Sequence, residues 1–214
     1  MKMTFNITYI IIFISVFSCN QQKIKPQAQL FSQDYLELKK DNKLEIIDLD
    51  SVHNYKNLIS RMSKIACKDK LSGLKISFKD TIYNIIGYTN CPEDNTIGCY
   101  FRRNFITIQN DSLILERSNK GRKEPIGYLK TMIDSIISKP HNYIFNEDKL
   151  KPALIQFNVE EKYPINTTKK VLREIATRFQ AVVKTDNPDF FSYSILFVNY
   201  DISKIPPPPP PPSK

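Results

Sequence analysis

The sequence has few of the residues that usually carry out catalysis or bind phosphate. Only two of its 214 residues are histidines, His53 and His141, and neither lies in a recognisable serine, cysteine or metal motif. Histidine is the usual side chain for proton transfer near neutral pH, so its scarcity argues against an enzyme. The five glycines are scattered, at positions 73, 87, 98, 121 and 127, and form no phosphate-binding loop. We therefore predict a protein that is not an enzyme and that binds no cofactor and no metal ion.

Tryptophan is absent, and no long apolar run follows residue 17. Thirteen phenylalanines and eleven tyrosines supply the large core side chains instead, and 41% hydrophobic with 25% charged residues is typical of a globular chain. The net charge of +9 comes from lysines that are spread among acidic residues, without a clustered basic patch. A nucleic-acid partner is therefore not expected.

The first 19 residues predict export and lipid attachment. Lys2 gives a positive start, an apolar stretch from Tyr9 to Phe17 is interrupted only by Ser15, and Ser18 places a small residue before Cys19. This is the pattern of a cleaved signal. Residues Val16–Cys19 resemble a lipobox, which implies cleavage after residue 18 and acylation of Cys19. The resemblance also implies localisation in the cell envelope, and Asn20 in place of an aspartate favours the outer membrane of a Gram-negative bacterium.

Two other interpretations of this segment are weaker. A membrane-spanning helix needs about 20 apolar residues, and Asn6, Thr8 and Ser15 interrupt this shorter run. An ordinary secretory signal usually shows a site of the A-x-A type, which residues 20–25 do not contain. We therefore expect the membrane to be a partner through a lipid on Cys19.

Besides Cys19, the chain contains three cysteines, an odd number: Cys67, Cys91 and Cys99. In an oxidising compartment a disulfide is expected. Seven residues, several of them turn formers, separate Cys91 from Cys99, so we predict a bridge between these two, while pairings with Cys67 stay open.

Hydrophobic periodicity predicts an α+β domain with one helix layer on a mixed sheet. An amphipathic helix is expected from Asp50 or Ser51 to about Lys68, within a helical part at 50–70. The sheet-rich part, 73–203, starts with two antiparallel hairpins, which turn at Lys79-Asp80 and Asn110-Asp111. A helix after Pro125, a polar connection at 142–151 with one helical turn, a strand at Ala153–Val159, a helix from Asn166 or Thr167 to about Val182 and a strand at Tyr193–Tyr200 follow.

Four segments organise the chain: a signal peptide at 1–18, a flexible tether at 19–32, a single domain at 33–203 and a polyproline tail at 204–214. The tail contains seven consecutive prolines, Pro206–Pro212, which favour a stiff polyproline II helix.

The pattern of residues 104–201 is similar to the periplasmic domain of the ExbD/TolR biopolymer-transport family. The opening strands at 105–115, a helix at 125–138 and a strand ending in an acidic residue follow in the family's order, and Glu160 and Pro164 occupy its acidic and proline positions. Family members couple proton flow through an aspartate in an N-terminal transmembrane helix. Residues 1–19 contain no acidic residue, so the resemblance implies the fold and not that activity.

We therefore expect an envelope lipoprotein with a non-catalytic binding domain, whose partner is an envelope protein or peptidoglycan, associated with a biopolymer-transport or cell-wall complex. The alternative is a lipoprotein that binds a small ligand, or a hydrolase whose site the sequence does not identify.

Overall fold

The strands form one mixed sheet and a separate small hairpin. The computed structural model describes residues 27–93, 104–115, 122–138, 144–146, 149–183 and 190–200. The strands in these ranges are β1 Ala28–Phe31, β2 Leu44–Asp48, β3 Leu71–Phe78, β4 Thr81–Tyr88, β5 Asn104–Gln109, β6 Ser112–Ile114, β7 Lys123–Pro125, β8 Ile144–Asn146, β9 Lys149–Leu150, β10 Ala153–Asn158 and β11 Tyr193–Phe197. The large sheet has the order β2-β3-β4-β11-β10-β5-β6-β7, with β1 beside the first half of β4, and β8 pairs with β9.

Four α-helices connect these strands in the described part of the chain. They are α1 Tyr35–Lys40, α2 Tyr55–Ala66, α3 Leu129–Ser138 and α4 Ile165–Gln180, and short 3₁₀ turns cover Leu49–Ser51 and Ile126–Tyr128. Helices α2, α3 and α4 bury their apolar stripes on one face of the sheet in a common core. Helix α1 packs on the other face, where Tyr35 contacts a cluster with Leu44 and Ile86. The predicted α+β class with a mixed sheet and helices is confirmed.

The centre of the sheet is parallel. Strands β4, β11, β10 and β5 run in one direction, with β10 between β11 and β5 in register over five and six residue pairs. The predicted hairpins are both present, because β3 pairs with β4 and β5 with β6 in antiparallel fashion. Their turns contain Lys79 at φ 51° and Asn110 at φ 59°. Strands β10 and β11, which precede and follow α4, are parallel neighbours.

Several predicted boundaries are wrong. Residues 28–31 of the predicted tether form β1, so the domain starts before residue 33. Helix α2 begins after Asn54, whose side chain accepts a hydrogen bond from the N–H of Asn57 at 2.8 Å, and not at Asp50 or Ser51. The helix predicted to start at Asn166 or Thr167 is α4, which starts earlier, at Ile165 directly after Pro164. Where one helical turn was predicted at 142–151, the described residues include the strands β8 and β9.

The disulfide joins Cys67 to Cys91, so the predicted bridge between Cys91 and Cys99 is wrong. The cause is the pairing of β3 with β4. Cys67 precedes β3 and Cys91 follows β4, and the antiparallel register Ser72 to Gly87 brings these two ends together. Their Cα atoms are 4.8 Å apart, a distance suited to a disulfide.

Several predicted features lie outside the described residues, including the signal peptide, Cys19, Cys99, His141 and Pro206–Pro212. Among the residues that are described, no helix is long and apolar enough to cross a membrane.

Candidate functional site: a groove at the ends of the parallel strands

A groove of about 1080 Å³ lies between α2 and the carboxyl ends of β10 and β11. In sheets with parallel strands, ligands commonly bind outside these ends, because the loops that follow the strands diverge there. The described residues that line the groove are Tyr55, Lys56, Ile59, Ser60, Ser63, Lys64, Cys67, Lys68, Pro92, Glu93, Asn158, Val159, Glu160, Glu161 and Asn199.

Helix α2 supplies one wall of the groove. Five lining residues stand at positions i, i+4, i+7, i+8 and i+11, so they form one stripe along the helix and its C-cap: Lys56, Ser60, Ser63, Lys64 and Cys67. The neighbouring stripe of α2 is buried in the core and fixes which way this polar stripe faces. This spacing was the signal in the sequence that could have predicted the wall.

Tyr55 anchors the first turn of α2 to the strand ends. Its hydroxyl oxygen lies 2.7 Å from the carbonyl oxygen of Phe157 and 3.0 Å from that of Val198, so the hydroxyl bridges the last residues of β10 and the end of β11. Its ring packs against both Phe157 and Phe197, with centroids 5.7 and 6.2 Å away. Burial raises the pKa of Tyr55 well above its usual value. The hydroxyl therefore stays protonated and acts as a structural donor.

The disulfide positions the second wall. Cys67 at the end of α2 is bonded to Cys91, and the next two residues, Pro92 and Glu93, line the groove. This bond ties the segment after β4 covalently to the end of α2.

The strand ends supply the third wall, and hydrogen bonds hold it rigidly. The side-chain amide of Asn110 donates to Glu160 Oε1 at 2.9 Å, and the backbone N–H of Glu160 donates to Asn110 Oδ1 at 2.9 Å. The backbone N–H of Asn110 donates to the carbonyl of Asn158 at 2.8 Å. Asn158 is buried, and its amide donates to the carbonyl of Val198 at 3.0 Å. Lys162 forms an ion pair with Glu160 at 2.8 Å.

One ion pair crosses the groove. Lys56 Nζ on α2 lies 2.9 Å from Glu161 Oε1 beyond β10, and this hydrogen bond with the carboxylate raises the pKa of Lys56. Both side chains are exposed, and exposed ion pairs contribute little to stability. A charged ligand can therefore displace either partner at small cost.

The groove combines an apolar floor with a charged rim. Its floor includes the apolar side chains Ile59 and Val159, and its rim contains three lysines and three glutamates. Groups of three or more potential metal ligands do not occur among the described residues. The chemistry available at the rim is ion pairing and hydrogen bonding from Lys56, Ser60 and Lys64.

The residues singled out in the sequence fall in different places. Glu160 lies in the groove wall, whereas Pro164 stands before the first residue of α4 and does not line the groove. His53 is exposed in the segment before α2 and does not line it either. Sequence reasoning missed the lysines and serines of α2, because the amphipathic pattern directed attention to the buried stripe of this helix.

No family model, curated protein or solved structure matches this chain. The resemblance of residues 104–201 to the ExbD/TolR domain, and that of Val16–Cys19 to a lipobox, therefore stay predictions.

Proposed function

We propose that this protein is a lipid-anchored component of the bacterial cell envelope and that its α+β domain binds a partner without catalysis. The binding site is the groove between α2 and the carboxyl ends of β10 and β11. The partner is an envelope protein or cell-wall polymer, in association with a transport or cell-wall complex at the outer membrane. The groove is the observation that carries the proposal.

Three properties of the groove support binding of an extended partner. It runs along α2 from Lys56 to Lys68, which corresponds to roughly 18 Å at 1.5 Å per residue. It is open to solvent at Lys56, Ser60 and Lys64, which are all exposed. Its walls are fixed by covalent and buried hydrogen bonds, so binding requires little ordering of the protein.

The volume of the groove also favours a second candidate, the binding of a small molecule. Ligand pockets commonly measure about 300–1,000 Å³, and the groove reaches about 1080 Å³. The two candidates differ in the mass of the molecule that occupies the groove, so one experiment separates them.

The test is photo-crosslinking in intact cells. Ser60 in the groove is replaced by a photo-reactive amino acid in the full-length chain, and the same replacement at the exposed Asp134 on α3 is the matched control. We expect a discrete high-mass adduct from position 60 and none from position 134. An adduct below about 1 kDa from position 60 would favour the small ligand. Identical adducts from both positions, or none from position 60, would refute a binding groove.

A further inference from the structure

The chain enters the described domain beside the turn that joins β3 to β4. The backbone N–H of Ala28 donates to the carbonyl of Asp80 at 2.8 Å, and the side-chain amide of Gln27 donates to the carbonyl of Lys79 at 3.4 Å. Gln27 is eight positions after Cys19 in the sequence. Eight residues reach at most about 28 Å when fully extended. A lipid on Cys19 would thus keep this turn within about that distance of the membrane.

An exposed aromatic ring lies at this turn beside the exposed Lys79 and the half-buried Arg173, whose Nη1 is buried and whose Nε donates to the carbonyl of Lys169 at 3.3 Å. Phe78 is 42% exposed, the guanidinium carbon of Arg173 lies 3.4 Å from its ring centroid, and Lys79 Nζ lies 5.5 Å from it. We call Phe78, Lys79 and Arg173 the Phe78 patch. Within the described residues no carboxylate forms an ion pair with Lys79 or Arg173, although Asp80 is exposed in the same turn.

This combination is chemically suited to a membrane interface. Aromatic rings reach the boundary between headgroups and acyl chains, while lysine and arginine keep their charges at the phosphates. Juxtamembrane cations are also attracted to anionic lipids, by about 1 kcal/mol, or about fivefold in affinity, for each charge. Residues 20–33 add Lys23 and Lys25 and contain no acidic residue.

We infer that the Phe78 patch contacts a bilayer surface that contains anionic phospholipid, with the ring of Phe78 at the acyl boundary and Lys79 and Arg173 at the phosphates. This inference rests on the proposed lipid anchor at Cys19, because the anchor brings the turn to the membrane.

The contact would fix the direction in which the groove faces. Strand β4 starts at Thr81 next to the Phe78 patch, and Pro92 and Glu93 of the groove follow its other end. Its eight residues span roughly 23 Å. The groove would therefore lie at the end of β4 that is farther from the bilayer.

The absence of tryptophan from the chain permits a direct test. Phe78→Trp places a single fluorophore in the patch, and Tyr200→Trp places one after β11 at a similar exposure, 45% against 42%. The full-length lipidated proteins are reconstituted into vesicles of phosphatidylcholine and phosphatidylglycerol, with and without brominated acyl chains. We expect strong quenching and a blue-shifted emission at position 78 and neither at position 200. Equal quenching at the two positions, or none at 78, would overturn the inference.

A second experiment tests the attraction of the Phe78 patch to anionic lipid. It uses the chain without a tryptophan, so it does not depend on the folding of the tryptophan variants. Hydrogen exchange in residues 77–82 should slow when anionic vesicles replace zwitterionic ones. Lys79→Asn removes one cation and suits the left-handed backbone at φ 51°. This variant should lower the affinity of the acyl-free Cys19→Ala chain for anionic vesicles about fivefold, whereas Lys40→Asn at the exposed end of α1 should leave it unchanged. Equal effects of the two variants, or no vesicle-dependent protection, would refute the contact.

Failure of the inference is distinguishable from failure of the proposed anchor. A chain that incorporates a fatty acid at Cys19 and still shows no quenching at position 78 retains its anchor but lacks the patch contact. A chain that incorporates no fatty acid would instead refute the lipid anchor at Cys19, on which the inference rests.

Discussion

At the scale of single residues, Gly87 permits the close approach of α2 to the sheet. A Cβ atom at this position would lie 2.8 Å from both Met62 Cε and Phe197 Cε2. Gly127, in contrast, has no atom within 4 Å of the corresponding point. The two glycines therefore form a matched pair for testing the packing beneath the groove.

We expect Gly87→Ala to lower the free energy of unfolding by about 1–3 kcal/mol, because the added methyl group overpacks a filled core. Gly127→Ala should change it by less than about 0.5 kcal/mol. Urea unfolding followed by circular dichroism measures both. Equal stability of the two variants would show that α2 packs less closely than described.

The burial of the Tyr55 hydroxyl leads to a prediction for the free energy of unfolding at alkaline pH. The pKa of an unperturbed tyrosine is about 10, and burial raises that of Tyr55 well above this value. As the pH rises, the Tyr55 hydroxyl loses its proton in the unfolded chain before it does so in the folded protein. The free energy of unfolding is therefore unaffected by this group below pH 10 and decreases above it, by up to about 1.4 kcal/mol per pH unit. Tyr55→Phe should weaken this decrease between pH 10 and 11 in urea titrations. A decrease as steep in Tyr55→Phe as in wild type would contradict the burial of this hydroxyl.

At the scale of elements, sequence patterns predicted what is local. Alternation along Leu74, Ile76 and Phe78 predicted β3, in which Leu74 and Ile76 are buried and Phe78 is exposed. Helical spacing along Leu58, Met62 and Ile65 predicted α2, because this spacing marks the face that the helix buries. Helix α1 was missed because six residues, Tyr35–Lys40, are too few to show a period. The order of strands in the sheet depends on pairings between distant segments, such as β10 with β5, which no local pattern contains.

The groove was missed for the same reason. It is assembled from α2, from the residues after Cys91 and from the end of β10, which are far apart in sequence. The disulfide was assigned to Cys91 and Cys99 because they are close in sequence, but the hairpin of β3 and β4 brings Cys67 to Cys91 instead.

The disulfide leads to a prediction for α2 and β4. Cys67→Ser removes a bond that closes a loop of 24 residues, and the chain-entropy account gives a loss of about 3–4 kcal/mol for such a loop. Thermal unfolding should show the loss in Cys67→Ser, and a reductant should reproduce it in wild type. Cys99→Ser is the control and should retain the wild-type midpoint. A destabilised Cys99→Ser together with an unchanged Cys67→Ser would indicate the other pairing.

At the scale of the whole molecule, β4 separates two surfaces with different chemistry. The Phe78 patch and the entry of the chain lie at its start, and the groove lies beyond its end. In the function that we propose, a lipid on Cys19 and the Phe78 patch would hold one side of the domain at a membrane, and the groove would lie on the other. The sequence predicted the anchor, but only the fold shows which residues lie next to its tether.

The central claim is that Cys19 ties this binding domain to a membrane, and metabolic labelling with a fatty-acid analogue tests it most directly. Wild type, Cys19→Ala and Cys99→Ala are expressed with their complete signal segment and analysed for incorporated label and for sedimentation with membranes. We predict labelling of wild type and of Cys99→Ala and none of Cys19→Ala. Equal labelling of Cys19→Ala, or an unlabelled wild type, would contradict the account.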